Sequence, residues 1–266
     1  MSADIVSSGM TTGGRFNRVK ALLREGRPAF GVIATIPSVQ TVQIMARSGL
    51  DWMLIDMEHG AIDAGTAHAM IAATTGTPLV PMVRVAATST LAAKLPLDLG
   101  AMGINFPMIT RREDAVAAVR AMRYPPEGER FWGPFLAPFR WGVSMREYLD
   151  VADDEVLTIA TIEHVDALRT IHEVLATPGL DVAVIGPGDL ATSMGLKGRV
   201  DHPDFLAVVA QLEAAIRDSP VVLGGAAPSP ALANDMIARG YRFIAVGFDW
   251  LLLQRGLAAA LDGVIR

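Results

Sequence analysis

The feature that most constrains the fold of this chain is a recurring pattern in which a short apolar run, typical of a buried strand, ends abruptly in charged residues. The run ending at Ile55 is followed by Asp56, Glu58 and His59. Three later runs end in charge in the same way, at Arg84, Glu163 and Asp189. Burying unpartnered ionisable groups is costly, so the repetition predicts one functional edge shared by several strands. The alternative for each residue is a loop position that caps the next helix.

The composition favours a single domain with a large core. The chain has 266 residues, of which 51% are hydrophobic and 19% are charged, and we find no linker that would divide it. The net charge is −5 and the basic residues form no cluster, so neither a nucleic-acid partner nor a membrane partner is predicted. No apolar run reaches the roughly 18 residues that a membrane span requires.

The N-terminal segment and the cysteine count bear on the cellular compartment in which the protein is expected. Residues 1–14 are small and polar, do not resemble a secretory signal, and are expected to form a disordered tail. The chain has no cysteine, which excludes disulfides, thiolate nucleophiles and sulfur-ligated metals. A cytoplasmic enzyme is therefore expected.

Apolar runs and amphipathic segments alternate along the rest of the chain. Eight strands are predicted, near residues 29–35, 52–56, 79–84, 102–107, 156–162, 181–186, 221–224 and 243–246. Intervening helices imply parallel pairing. Eight units over residues 15–266 favour a single-domain (β/α)8 TIM barrel over an open doubly wound sheet. In a barrel, the ends of strands two, three, five and six open onto the same face, which would bring His59, Arg84, Glu163 and Asp189 together.

One connection is much longer than the others. Residues 124–154 carry several aromatic side chains, namely Phe131, Trp132, Phe135, Phe139 and Trp141. Long aromatic loops in compact domains often serve as lids or interfaces. The alternative is a surface flap packed on its own aromatic residues.

The charged residues are suited to chemistry beside a carbonyl group. Glu163 and Asp189 are two carboxylates that suit a hard divalent cation such as Mg²⁺ or Mn²⁺ better than zinc. Arg84 offers a cation for a carboxylate or an enolate oxygen. His59, near Asp56, could be an oriented base with a neutral ring.

Structural roles remain open for the same residues. Arg84 could be an ion-pair partner, Asp189 could cap the helix that follows it, and Glu163 could cap the helix after strand five. A Schiff-base mechanism is disfavoured because none of the three lysines ends a predicted strand, although Lys197 could approach the rim.

The motifs taken together resemble the HpcH/HpaI aldolases, a family of metal-dependent class II pyruvate aldolases that includes the hydroxy-ketoacid aldolases. The resemblance covers almost the whole chain. It rests on ordered motifs at 55–59 (IDMEH), 83–84 (VR), 97–100 (LDLG), 107–108 (PM), 123–126 (RYPP), 162–163 (IE), 185–190 (IGPGDL) and 194–195 (MG).

This resemblance implies a role for each matching residue. Glu163 and Asp189 would hold a divalent metal (Mg²⁺, Mn²⁺ or Co²⁺), Arg84 would stabilise the enolate, and His59 with Asp56 would form a dyad for proton transfer. It also implies a homohexamer built as a trimer of dimers, in which Asp98 reaches a neighbouring site as a further catalytic residue. The implied substrate contacts are Arg84, Gly186, Gly188 and Asp189.

Several positions depart from the family pattern. Ile33 stands where tryptophan is common, His164 where threonine is common and Gly188 where alanine is common, and residues 131–133 (FWG) replace a smaller segment. These changes leave the identity of the aldehyde acceptor open.

The expected activity is cleavage of 4-hydroxy-2-oxo acids to pyruvate or hydroxypyruvate and an aldehyde, with the reverse addition. The alternatives are an oxaloacetate decarboxylase or acyl-CoA lyase on the same scaffold, and a non-catalytic barrel that binds keto acids.

Overall fold

The fold was analysed in a computed structural model, which describes residues 16–265. The expected tail over residues 1–14 lies outside the described residues. Eight strands occur in the described part of the chain, and each lies within two residues of its predicted bounds at either end. They are β1 (Ala29–Ala34), β2 (Trp52–Asp56), β3 (Val80–Arg84), β4 (Gly103–Phe106), β5 (Leu157–Ile162), β6 (Val182–Ile185), β7 (Val222–Ala226) and β8 (Phe243–Phe248).

The strands form one closed barrel. Each strand pairs in parallel with the next, and β1 pairs with β8 to complete the circle. All five residues of β2 and all six of β5 are buried, as expected where side chains on one face fill the barrel and those on the other lie under helices. The prediction of a single-domain (β/α)8 barrel is confirmed.

Helices follow the strands around the outside of the barrel. In the described residues they are α1 (Arg18–Arg24), α2 (Val39–Met45), α3 (Ala64–Ala72), α4 (Thr90–Asp98), α5 (Arg112–Met122), α6 (Ala137–Trp141), α7 (Met145–Glu155), α8 (Ala167–Leu175), α9 (Pro187–Ser193), α10 (Pro203–Arg217), α11 (Pro230–Ala238) and α12 (Asp249–Leu261). Side-chain N-caps fix where several of these helices begin. Ser38, Asp63 and Ser89 each accept a hydrogen bond from a backbone N–H three residues later.

The long segment at 124–154 is not a continuous loop, so that part of the prediction is wrong. Its second half forms α6 and α7, and the Ser144 side chain caps α7. Trp141 packs edge-on against Tyr148 with ring centroids 4.9 Å apart, and both residues are buried. Trp141 and Tyr148 therefore contribute to the core. The other predicted aromatic residues of the segment are exposed, namely Phe131, Trp132, Phe135 and Phe139. Trp132 packs edge-on against Phe135 with ring centroids 5.2 Å apart.

The last helix lies less closely against the barrel than the others. In α12 only Asp249 is buried, whereas Leu253, Leu257 and Leu261 are each more than half exposed. The helix contacts β1 and β8 through its first turns. Within residues 16–265, no helix combines the length and the apolar character needed to cross a membrane.

Candidate active site

The carboxyl ends of the strands surround a cavity of about 510 Å³. Seven of the eight residues predicted for the site line this cavity: Asp56, His59, Arg84, Glu163, Gly186, Gly188 and Asp189. Asp98 is not part of its lining. The barrel register explains the grouping, because parallel strands deliver their carboxyl ends to one face.

Asp56 and Arg84 form a buried ion pair at the ends of neighbouring strands. They are partners in the β2–β3 register, and Arg84 donates from Nε and Nη2 to the two Asp56 oxygens at 2.9 and 2.6 Å. Burial would raise the pKa of Asp56, but the hydrogen bonds and charge of Arg84 outweigh it and hold the pKa below its ordinary value. In the part of the chain that the structure describes, Arg84 Nη1 makes no hydrogen bond and remains available to a ligand.

His59 lies on the turn after β2 with its side chain 63% exposed. Its ring pairs with Glu58 instead of Asp56: His59 Nε2 lies 3.7 Å from Glu58 Oε2. Asp56 Oδ1 accepts the backbone N–H groups of Glu58 and His59 at 3.1 and 3.2 Å. Asp56 therefore positions His59 through the backbone of the turn, and the predicted contact between ring and carboxylate is not formed.

Glu163 follows β5 and is held in place by a backbone group. Its Oε1 accepts the N–H of Met108 at 2.7 Å, and the side chain is buried at the cavity wall. Burial raises the pKa of Glu163, and the nearby charges of Glu58 and Asp189 raise it further. The alternative in which Glu163 caps the next helix is not observed, because α8 begins after Asp166.

Asp189 lies in the first turn of α9 and is exposed to the cavity mouth. The N-cap of α9 is Gly186, so the alternative in which Asp189 caps the helix is wrong. Nothing in the described structure lies within 4 Å of where a Cβ atom at Gly188 would be, so the backbone beside Asp189 is open.

The donor set fits a hard divalent cation. The charge of Asp189 helps to raise the pKa values of both Glu163 and Glu58, although burial is the larger cause, and a cation would relieve this repulsion. Residues 16–265 contain no group of three or more His, Cys, Asp or Glu side chains placed to hold a metal ion. A cation here would therefore take two protein carboxylates and complete its shell with oxygens of water or substrate.

Two polar residues in the cavity wall were missed by the sequence analysis. Asn105 on β4 and Thr161 on β5 line the cavity, and Thr161 donates its hydroxyl hydrogen to Asn105 Oδ1 at 2.6 Å. An asparagine inside the short apolar strand β4 was the available signal, since buried polar side chains need a partner.

Asp98 lies at the end of α4, away from the cavity lining. Its Oδ1 is 3.5 Å from Nη2 of Arg130, a guanidinium that is only 1% exposed and donates to the Tyr148 hydroxyl at 2.7 Å. Arg130 also stacks over Tyr124, 4.5 Å from the ring centroid. The exposed aromatic residues of the same segment, including Phe131, do not line the cavity of this chain.

Comparisons with known proteins agree with this geometry. The sequence profile of the HpcH/HpaI aldolase/citrate lyase family matches residues 35–255. A 4-hydroxy-2-oxo-heptane-1,7-dioate aldolase from Escherichia coli is 35% identical over 249 residues, covering 91% of this chain and 93% of the relative.

Two solved structures extend the comparison. A crystal structure of an HpcH/HpaI aldolase/citrate lyase family protein from Burkholderia cenocepacia J2315 has a TM-score of 0.86 and 34% identity, and the match covers 92% of this chain and 98% of that one. The citrate synthase SbnG has a TM-score of 0.81 and 27% identity, covering 91% and 94% of the two chains.

Proposed function

The chain belongs to the HpcH/HpaI aldolase/citrate lyase family, and on that premise we propose that it is a metal-dependent class II aldolase. It cleaves a 4-hydroxy-2-oxo acid to pyruvate or hydroxypyruvate and an aldehyde, and it catalyses the reverse addition. The observation that carries the proposal is that the Arg84–Asp56 pair and the carboxylates of Glu163 and Asp189 line the same cavity.

Glu163 and Asp189 are the residues that would hold the cation, Mg²⁺, Mn²⁺ or Co²⁺. When bound, such a cation supplies Lewis acidity to the carbonyl group of the keto acid. Glu163 is preorganised for this role because the Met108 N–H fixes one of its oxygens. Gly188 leaves open space beside Asp189 for the keto acid to lie against the backbone, whereas Gly186 accommodates Glu163, since a Cβ atom there would lie 3.0 Å from Glu163 Oε2.

Arg84 stabilises the negative charge that develops on the enolate oxygen when the C3–C4 bond breaks. Asp56 prevents the guanidinium from turning away, since it fixes Nε and Nη2 and leaves Nη1 for the substrate. His59 takes the proton from the C4 hydroxyl and returns a proton to C3 of the enolate. Its ring is exposed at the rim, within reach of a ligand in the cavity.

The first test measures pyruvate release from a panel of 4-hydroxy-2-oxo acids, with oxaloacetate as a further substrate, before and after chelation. Chelation should abolish turnover and Mg²⁺, Mn²⁺ or Co²⁺ should restore it. Glu163→Gln keeps an acceptor for Met108 and should lose metal affinity while remaining folded, as judged by circular dichroism. Asp204→Asn, at an exposed position on α10, is the control. Full turnover after exhaustive chelation would rule out the proposal.

The second test concerns His59. His59→Ala should retain metal and pyruvate binding but lose roughly two to four orders of magnitude in aldol rate, the usual scale of general acid–base catalysis. Titration calorimetry with pyruvate separates binding from rate. An unchanged rate would assign His59 to packing.

We further propose a cytoplasmic homohexamer, a trimer of dimers in which Asp98 completes a neighbouring subunit's site. The apolar surface on α12 supports assembly of several copies. Asp98 does not line the cavity of its own chain. In an assembly, its carboxylate would therefore act in the active site of a neighbouring subunit. Co-assembling Asp98→Asn chains with Arg84→Gln chains should rebuild some intact sites. If both variants are inactive alone and their co-assembled hybrids are also inactive, the site is not shared between subunits. Light scattering measures the mass of the assembly and so tests the hexamer.

A further inference from the structure

The cavity is divided into a charged side and an apolar side. The ionisable residues in its lining come from β2, β3, the turn after β2, the position directly after β5 and the first turn of α9. The opposite wall, on β1, β7, β8 and the start of α12, is formed by Ile33, Ala226, Ala245, Phe248 and Trp250. A substrate whose keto-acid end lies at Glu163 must therefore extend its other end along apolar side chains.

The floor of the cavity is also apolar and is held rigid. Trp52 stacks on Phe243 with ring centroids 4.1 Å apart and an interplanar angle of 5°. The indole Nε1 donates to the carbonyl oxygen of Ala29 at 3.2 Å, so its polar atom is already paired. Gly31 makes this placement possible, because a Cβ atom there would lie 1.9 Å from the Trp52 ring.

A second carboxylate would find little to bind in this wall. Arg84 is the only lysine or arginine in the described lining, whereas Asp56, Glu163 and Asp189 contribute three carboxylates. The hydroxyl of Thr35 is occupied by Asp249 at 2.8 Å. An anion taken into such surroundings loses its hydration without gaining a partner, which is unfavourable.

The cavity is larger than a three-carbon keto acid needs. Its volume of about 510 Å³ lies in the range of sites that enclose much bigger ligands. We propose that the acceptor is an aldehyde with an extended aliphatic or aromatic group and no second carboxylate. This inference rests on the proposed aldolase function and assigns the specificity to the Ile33 side of the cavity.

The test uses two assays, so that failure of the aldolase and failure of the acceptor inference can be told apart. The donor assay follows exchange of the pyruvate methyl protons with D2O by NMR, with Mn²⁺-free Mg²⁺ buffer and no aldehyde. The acceptor assay measures kcat/KM for carbon–carbon bond formation with propanal, butanal, pentanal, benzaldehyde and 4-oxobutanoate. Pentanal and 4-oxobutanoate are similar in length and differ in the terminal carboxylate.

We expect proton exchange, a gain in kcat/KM of roughly fourfold for each added methylene, and a preference for pentanal over 4-oxobutanoate of about tenfold or more. Ile33→Lys places a cation on the apolar wall and should shift the pentanal to 4-oxobutanoate ratio at least about tenfold toward the anion. Ile44→Lys makes the same change on the exposed face of α2, outside the cavity, and should leave the ratio unchanged.

Absence of exchange would overturn the aldolase proposal and the acceptor inference with it. Exchange combined with equal or better use of 4-oxobutanoate would overturn the acceptor inference alone. If Ile33→Lys and Ile44→Lys change the pentanal to 4-oxobutanoate ratio equally, the apolar wall does not select the acceptor. That result would also overturn the acceptor inference.

Discussion

Replacing Asp56 tests whether this residue positions Arg84 or takes part in proton transfer. Its carboxylate is completely buried and accepts four hydrogen bonds, two from Arg84 and one each from the N–H groups of Glu58 and His59. Asp56→Ala removes both acceptor oxygens and with them all four hydrogen bonds. If Asp56 positions its neighbours, this substitution should reduce both stability and activity.

The size of the effect follows from burial and from the partner that remains. Removing one member of a buried ion pair costs about 3–5 kcal/mol. Arg84 keeps a second carboxylate, since Glu58 Oε2 lies 3.2 Å from its Nε. We therefore expect the lower end, ~3 kcal/mol, which is roughly a 150-fold change in the folding equilibrium at 1.4 kcal/mol per tenfold.

Urea unfolding followed by circular dichroism measures this loss, with exchange of the pyruvate methyl protons as the activity readout. Asp63→Ala is the matched control. Asp63 is an aspartate in the connection after β2 and, unlike Asp56, it is exposed. Its side chain caps α3 by accepting the Thr66 N–H at 2.7 Å. Loss of that cap should destabilise the protein less than loss of Asp56 and should leave the exchange rate unchanged.

The contribution of Asp56 should also depend on pH in a defined direction. The pKa of Asp56 in the folded protein lies below its ordinary value of 3.8. The stability it supplies is therefore complete above pH 3.8 and is lost as the pH falls through the lower folded pKa. The gap in unfolding free energy between the native chain and Asp56→Ala should shrink below about pH 4.

The positioning argument would be refuted if Asp56→Ala and Asp63→Ala were equally stable while only Asp56→Ala lost proton exchange. That result would return Asp56 to a direct role in proton transfer with His59. Equal losses of exchange in Asp56→Ala and Asp56→Asn, with stability retained in both, would point the same way.

Four further substitutions test packing and buried polar contacts, each by urea unfolding. Gly31→Ala should destabilise the protein by ~2 kcal/mol or more, because the new Cβ would overlap the Trp52 ring at 1.9 Å; a loss below about 0.5 kcal/mol would contradict this. Asp249→Ala removes the acceptor for the backbone N–H groups of residues 35 and 36 and should cost ~2 kcal/mol and speed hydrogen exchange there. Asp98→Ala should cost more than Arg130→Met, since a buried carboxylate can take up a proton and a buried guanidinium cannot.

The barrel could be predicted because its signals are local. Each apolar run has the length of a strand, and caps such as Ser38 and Ser89 mark helix starts on the scale of a few residues. The segment at 124–154 could not be predicted in the same way. Its helices depend on contacts such as Trp141 with Tyr148, and such packing is invisible in a hydrophobicity pattern.

The positions of the charged residues at the strand ends could be predicted, but not their partners. The strand ends placed Asp56, Arg84 and Glu163 on one face, as the structure confirms. Which oxygen meets which donor depends on the register of β2 with β3, and that register aligns Asp56 with Arg84. The nearness of Asp56 to His59 in sequence suggested a direct dyad, whereas Arg84, distant in sequence, holds both oxygens of the carboxylate.

The contacts of Asp98 within its own chain account for only part of its geometry. Arg130 provides a counter-charge 3.5 Å away and Gly133 leaves its carboxylate room, but Asp98 Oδ1 is buried without a hydrogen-bond partner among the described residues. Asp98 also retains a small solvent-facing area, 8% of the residue. A positioned carboxylate at the molecular surface, held by a guanidinium that cannot lose its proton, is suited to completing a site on another copy of the chain. The same geometry makes Arg130 the residue through which that carboxylate would be oriented.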